Sequence, residues 1–410
     1  MIPSRRLVIL YVGTAHISLA LAFALVGSDP LAVAGFFYHS RMVAIVHLVT
    51  IGWIAMSILG NLYAVVPMAF GCPLPARKGD YAAYALVVIG LIGMVAHFWL
   101  AEFSGMAWSA ATAAAGIAYV VVRAALAVRV ARVPGGVKLH IALASGNMLG
   151  AITAGVLLGF DKVHQYLPGY VLSNVFAHAH LAAVGWACMM VIGLGYRMLP
   201  MLLPSAPSSG NTIYISAVLL ETGVVGLFVS LVRRSSLMGL FALLIVGSFI
   251  AAGAHVIWMM RQPRTPPHRR RSRFAIAHVA TAAAWLVLAC VFGVLLAVTP
   301  TTEASLRAAM LYGVFGLLGF LAQVIVGFGL RILPTVATYW ALSRGTGTIG
   351  PPRRAHEPLR AVIYGAWLIG VPALAAGLFF TAPMVLASGA WLLFGGVVLG
   401  AVDILVIVRT

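Results

Sequence analysis

Residues 47–67 read HLVTIGWIAMSILGNLYAVVP, and residues 180–200 read HLAAVGWACMMVIGLGYRMLP. Without a gap, the two stretches share a histidine, a leucine, two glycines, a tryptophan, a tyrosine and a proline. A third stretch, residues 314–334, keeps both glycines and the proline, but Phe320 stands at the tryptophan position and Val314 at the histidine position. Most of the shared residues are uncommon types, so the agreement indicates an internal repeat.

Each copy of this motif lies in an apolar run long enough to cross a membrane. Of the 410 residues, 62% are hydrophobic and 8% are charged, whereas roughly a quarter of the residues in a soluble domain are charged. Crossing ~30 Å of hydrocarbon takes about 20 apolar residues. The sequence predicts twelve spans, at residues 6–28, 41–67, 80–103, 105–128, 138–160, 172–200, 211–232, 236–260, 274–298, 305–334, 359–380 and 384–407.

The motif recurs in spans 2, 6 and 10, which are four spans apart. We therefore predict an all-α polytopic membrane protein of about 12 transmembrane helices, built from three four-helix repeats in a pseudo-threefold arrangement. The predicted units are residues 1–132 (spans 1–4), 133–262 (spans 5–8) and 274–410 (spans 9–12), with a basic cytoplasmic linker at 263–273.

The net charge of +18 belongs to the loops and span ends rather than to one basic face, so it does not indicate a nucleic-acid partner. If the N-terminus is inside, 21 of the 26 Lys and Arg residues lie at the inner side and five at the outer side. This distribution follows the positive-inside rule. We expect a multi-pass protein of a bacterial cytoplasmic (inner) membrane, with both termini cytoplasmic and the lipid bilayer as its surroundings.

Ionisable side chains inside a membrane are costly, so each is a candidate for function. His47 and His180 occupy the same motif position near the outer surface, and a neutral imidazole is a common ligand of haem iron. His178 lies about 200° around the helix from His180, so it is a candidate for a second metal or a propionate contact. The alternative is that each ring bonds a carbonyl of a neighbouring helix and serves packing. Three further histidines lie toward the inner side, as a second haem site or as scattered packing residues: His140, His255 and His278.

Three more charged residues are candidates for a functional role. Arg41 and Arg307, at the outer ends of spans 2 and 10, could pair with haem propionates or extend to the interface. Glu221 is the only acid near the middle of a span, where it serves a proton path or packs as a neutral acid. Asp403 is close enough to the inner end of span 12 to reach water.

The twelve spans and the span-2 histidine resemble subunit I of the haem-copper (cytochrome c) oxidases and nitric oxide reductases. The two quoted stretches look like the short membrane proteins related to cbb3-type subunit I, and like the NnrS haem-copper membrane proteins of the nitric oxide response. By this resemblance, His47 matches the low-spin haem ligand. His180, or else His178, falls on the span that supplies a copper ligand.

The sequence also departs from that family. Span 7 (residues 211–232) has no His-His pair, span 10 has Tyr312 and Val314 where the family has His-x-His, and span 6 lacks a tyrosine four residues after its histidine. The binuclear centre cannot be assembled from these positions, so oxygen reduction to water is not supported.

We therefore expect one or more b-type haems near the outer face, with copper as a second candidate cofactor. The expected activity is electron transfer or redox chemistry on a small gas (NO or O2), with a quinol or a periplasmic electron carrier as partner. If the protein is an enzyme, it is an oxidoreductase of the respiratory or nitric oxide type. A partner subunit or a homo-oligomer stays open. The alternatives are a haem-free secondary transporter and a non-catalytic assembly or sensor subunit.

Overall fold

The computed structural model describes residues 2–33, 38–202, 205–262, 273–345 and 356–409. Within those ranges, twelve helices are long and apolar enough to cross a membrane. We number them α1 (Arg5–Ser28), α2 (Ser40–Ala69), α3 (Lys78–Leu100), α4 (Met106–Arg129), α5 (Gly135–His164), α6 (Val171–Pro200), α7 (Thr212–Arg233), α8 (Met238–Arg261), α9 (Arg273–Val298), α10 (Glu303–Ser343), α11 (Glu357–Phe379) and α12 (Pro383–Val408).

The predicted spans are confirmed to within a few residues, with one exception. Span 10 was predicted to end at Pro334, but α10 continues to Ser343 with this proline inside the helix. Proline is tolerated within transmembrane helices because neighbouring groups bond the backbone that it frees. The predicted linker at 263–273 lies outside the described residues, apart from Arg273.

Each of the three motif helices contains a π-helical segment. These segments run over Leu48–Ala55 in α2, Leu181–Cys188 in α6 and Val314–Ala322 in α10. The first two begin directly after His47 and His180, and the third begins at Val314, the motif equivalent of those histidines. π-helical turns are rare overall but frequent at functional sites. Their recurrence at the same place in each motif makes this segment a candidate for function.

The second glycine of each motif packs closely against the preceding helix. A β-carbon at Gly60 would lie 2.6 Å from Cβ of Tyr11, one at Gly193 would lie 2.7 Å from Cβ of His140, and one at Gly327 would lie 3.2 Å from Cβ of His278. Small residues let transmembrane helices pack at such short distances. The packing of α1 on α2, α5 on α6 and α9 on α10 is therefore alike at this glycine, which supports the repeat. The three-unit division itself stays a prediction.

The motif helices are also among the most enclosed. Within the most apolar 18-residue segment of each helix, 72% of the residues are buried in α2, 50% in α6 and 56% in α10, against 11% in α9. A helix that is enclosed by protein can carry polar side chains that lipid would not tolerate. The histidines of α2 and α6 are thus on helices suited to hold a functional group.

The described residues form two compact units by their contacts. The first unit comprises Val65–His97 and the chain from Glu102 to the end of α8, and so contains His178, His180 and Glu221. The second unit comprises Ile2–Ala64, Phe98–Ala101 and the helices α9 to α12, and so contains His47, Arg41 and Arg307.

Candidate functional site

His47 is held in one tautomer by its own helix. Its Nδ1 lies 2.8 Å from the carbonyl oxygen of Val43, and because a carbonyl can only accept, Nδ1 carries the proton. Nε2 is then left with its lone pair, which is the form that binds a metal. The ring stacks on Phe98, with centroids 5.4 Å apart and planes inclined by 18°. The arrangement fixes the imidazole and presents a donor nitrogen.

His180 repeats the backbone bond of His47 in the first unit. Its Nδ1 lies 2.8 Å from the carbonyl oxygen of Phe176, so Nε2 again keeps its lone pair. His16 and His140 make the same bond one helical turn back, to Val12 and Gly136. The bond therefore sets the tautomer of all four rings and does not by itself identify a ligand.

His178 faces the neighbouring helix instead. Its Nδ1 lies 3.0 Å from the carbonyl oxygen of Ala151 on α5, and a β-carbon at Gly155 would come within 3.0 Å of its ring. This is the packing contact that the sequence left as the alternative for each histidine. Between the two neighbours on α6, His180 is thus the better candidate for a ligand.

The two outer arginines already have protein partners. Arg41 lies 3.5 Å from the carboxylate of Asp29 and over the ring of Trp99. Arg307 pairs with Glu303 at 2.7 Å, and both guanidinium groups are about half exposed. A haem propionate would have to compete with these carboxylates for each arginine. Propionate pairing and extension to the interface therefore both stay predictions.

Glu221 belongs to a polar contact between three helices. The amide nitrogen of Asn147 on α5 donates to the Glu221 carboxylate on α7 at 2.7 Å and to the carbonyl oxygen of Gly185 at 3.0 Å. Gly185 lies inside the π-helical segment of α6. Sequence reasoning found Glu221 and missed Asn147, although an asparagine in the middle of an apolar span was a usable signal.

A second polar cluster fills the interior of the first unit. Tyr196 donates to or accepts from Ser216 at 2.9 Å, and Ser216 lies 3.2 Å from Nε2 of His140. The rings of His140 and His255 meet Tyr196 edge to face, at 5.4 and 5.2 Å. The structure thus brings together two of the three inner histidines around a tyrosine. His278, in the second unit, lies instead against Gln323 and Tyr364.

Asp403 was expected to extend to the water at the inner end of span 12, and that expectation is wrong, because the side chain is held in a buried ion pair. Its side chain is 1% exposed and accepts a hydrogen bond from Nε of Arg360 at 3.0 Å, and the Arg360 side chain is 3% exposed. The arginine neutralises the carboxylate, which removes the need to reach the interface. In the described part of the chain, no group of three or more His, Cys, Asp or Glu side chains could hold a metal ion, so copper gains no geometric support.

The sequence matches no family model and no curated protein. The fold, in contrast, is similar to a solved structure, a cryo-electron microscopy structure of a heme-copper terminal oxidase dimer. The TM-score is 0.64 at 10% sequence identity, and the match covers 99% of this chain and 85% of that chain. The chain is therefore a multi-pass, all-α membrane protein with the fold of a haem-copper oxidase, a likeness that concerns the fold alone.

Proposed function

We propose that the protein binds at least one b-type haem in a bacterial inner membrane, with Nε2 of His47 as an axial ligand. The single observation that carries this proposal is the state of His47. Its Nδ1–H is bonded to Val43, its ring is packed on Phe98, and its Nε2 keeps the lone pair at the start of a π-helical segment. His180, in the same state on α6, is the candidate ligand of a second haem.

Each of the two histidines would supply one axial imidazole. Because Nδ1 of His47 is bonded to Val43, Nε2 is the nitrogen left to act as a donor. A haem held by a single imidazole binds small gases at its open position, whereas a bis-histidine haem transfers electrons. Val314 in place of a third histidine favours the first case, redox chemistry on a small gas such as NO or O2.

The chain itself positions the ligand. The Val43 carbonyl holds the imidazole in the metal-binding tautomer and makes Nε2 more basic, and Phe98 covers one face of the ring. Arg41 lies on the same helix, six residues before His47, where it would exchange Asp29 for a propionate. The electron partner is a quinol or a periplasmic carrier, and a partner subunit or a second copy would complete the assembly.

Purification from haem-replete cells tests the proposal. We expect a Soret band and a pyridine haemochrome spectrum of b type, at one haem or more per chain. A monodisperse, folded protein without a Soret band would overturn the proposal. A haem-free transporter or an assembly subunit with the same fold would then be the better reading, and gradient-driven uptake in proteoliposomes separates those two.

A further inference from the structure

A narrow cavity lies inside the second unit, between α1, α2, α10, α11 and α12. It occupies the half of these helices nearer the face at which Arg5 meets the carbonyl oxygen of Val408 at 3.4 Å, which we call the terminal face. The cavity has room for a few water molecules. Its lining includes His16, Trp53, Ser57, Asn61, Gly400 and Asp403.

Two polar atoms of lining residues lack partners. Nε1 of Trp53 and Oδ1 of Asn61 are buried and form no hydrogen bond within the described part of the chain. Leaving a buried polar atom unpaired costs about 1–3 kcal/mol, and buried water is the usual remedy where a polar site has room for it. A donor and an acceptor on the same helix, two turns apart, therefore indicate that the cavity is hydrated.

Missing side chains provide the space. A β-carbon at Gly400 on α12 or at Gly329 on α10 would meet no atom within 4 Å, and both glycines line the cavity. Elsewhere in the unit, a β-carbon at Gly27, Gly60 or Gly370 would clash with a neighbour at 2.7 Å or less. At Gly400 and Gly329 a larger side chain would therefore have space, and both positions lie on the wall of the cavity.

The charges around the cavity favour protons over metal ions. Asp403 is already neutralised by Arg360, so no spare negative charge is present there to hold a cation. At the other end, Nδ1 of His16 donates to Val12 and its ring meets Trp53 edge to face at 4.9 Å. Nε2 of His16 therefore keeps a lone pair that can accept a proton.

From these observations we propose that the cavity holds a chain of water molecules that gives protons access from the terminal face to His16. A proton from hydronium at that face passes along the water chain, with one O–H bond broken for each one formed, and Nε2 of His16 accepts it to give the imidazolium. This path is independent of haem binding, because none of the atoms that carry it is a proposed haem ligand.

Deuterium exchange at the indole N–H of Trp53 tests the path, and Trp186 is its matched control. The two tryptophans are motif equivalents, each is 2% exposed, and the indole nitrogen of each is buried without a partner among the described residues. Only Trp53 lines the cavity described above. In the purified full-length protein with 15N-labelled tryptophan, assigned with W53F and W186F, we expect Trp53 to exchange at least about tenfold faster.

A substitution that fills the cavity distinguishes exchange through the hydrated cavity from exchange through general opening of the protein. Gly400→Leu places a side chain in the open space and should slow exchange at Trp53 about tenfold or more, while Trp186 is unchanged. Gly365→Leu is the control, because a β-carbon there also meets nothing within 4 Å and Gly365 does not line the cavity. Equal exchange at Trp53 and Trp186, or a Trp53 rate unaffected by Gly400→Leu, would overturn the proposal. If Gly400→Leu does not fold, Gly329→Leu is the alternative cavity-filling substitution.

Discussion

Gly193 leaves no space between α6 and His140, since a β-carbon at this glycine would lie 2.7 Å from Cβ of the histidine. Gly193→Ala should therefore destabilise the protein by about 1–3 kcal/mol, the usual cost of overpacking. Gly195→Ala is the control on the same helix, because its β-carbon meets nothing within 4 Å. Thermal unfolding in detergent measures both, and equal midpoints would contradict the close approach.

The buried pair of Arg360 and Asp403 gives a second prediction. Arg360→Met leaves the carboxylate buried without its partner, which should cost about 3–5 kcal/mol. The double variant Arg360→Met, Asp403→Leu removes both charges and should recover most of that loss. Unfolding midpoints of the two variants and the wild type decide the matter. A double variant as unstable as the single one would show that the pair is not the source of the effect.

Asn147 gives a third prediction, because it joins α5, α6 and α7. Asn147→Leu leaves the Gly185 carbonyl and the Glu221 carboxylate without their donor, which should destabilise the protein by about 1–3 kcal/mol for each group. Glu221→Gln keeps an amide oxygen to accept from Asn147 and should be nearly neutral. We would measure both by thermal unfolding. If Glu221→Gln were the more harmful variant, the carboxylate would have a role beyond this contact.

The turn between α3 and α4 carries a pH dependence. Hydrogen bonds to the Glu102 carboxylate, first from the Ser104 hydroxyl and then from the Ser104 and Gly105 backbone and His97, hold its pKa below the usual value. A lowered folded-state pKa means that the stabilisation is complete above the ordinary glutamate pKa and is lost as the pH falls through the folded-state value. As the pH is lowered from about 5 to about 3, the free energy of unfolding of Glu102→Gln should therefore decrease less than that of the wild type. If the unfolding midpoints of the two proteins changed equally with pH over that range, this role of Glu102 would be refuted.

Most of the architecture could be predicted from the sequence. The lengths of the apolar runs predicted the twelve spans, and the repeated motif located the helices that hold His47 and His180. Both signals are local, because the membrane forces each apolar run into a helix that bonds its own backbone. Pro334 misled the prediction for the same reason, since the effect of a proline depends on its neighbours.

The contacts between helices could not be predicted in the same way. Arg360 and Asp403 are 43 residues apart, and nothing in either span indicates that they face each other. The π-helical segments at Leu48, Leu181 and Val314 were also missed, because no residue type encodes an added residue per turn. The tautomers of His47 and His180 depend on carbonyls one turn back, which become visible only with the backbone in place.

The most direct test of the central claim is the absorption spectrum of His47→Gly with and without added imidazole. Glycine removes the proposed ligand and leaves space for a free imidazole in its place. We predict that the Soret band is lost or shifted in His47→Gly and restored by imidazole, while His16→Gln, which loses the same backbone bond in the same unit, keeps the wild-type spectrum. A haem spectrum in His47→Gly identical to that of the wild type would contradict the assignment of His47 as an axial ligand.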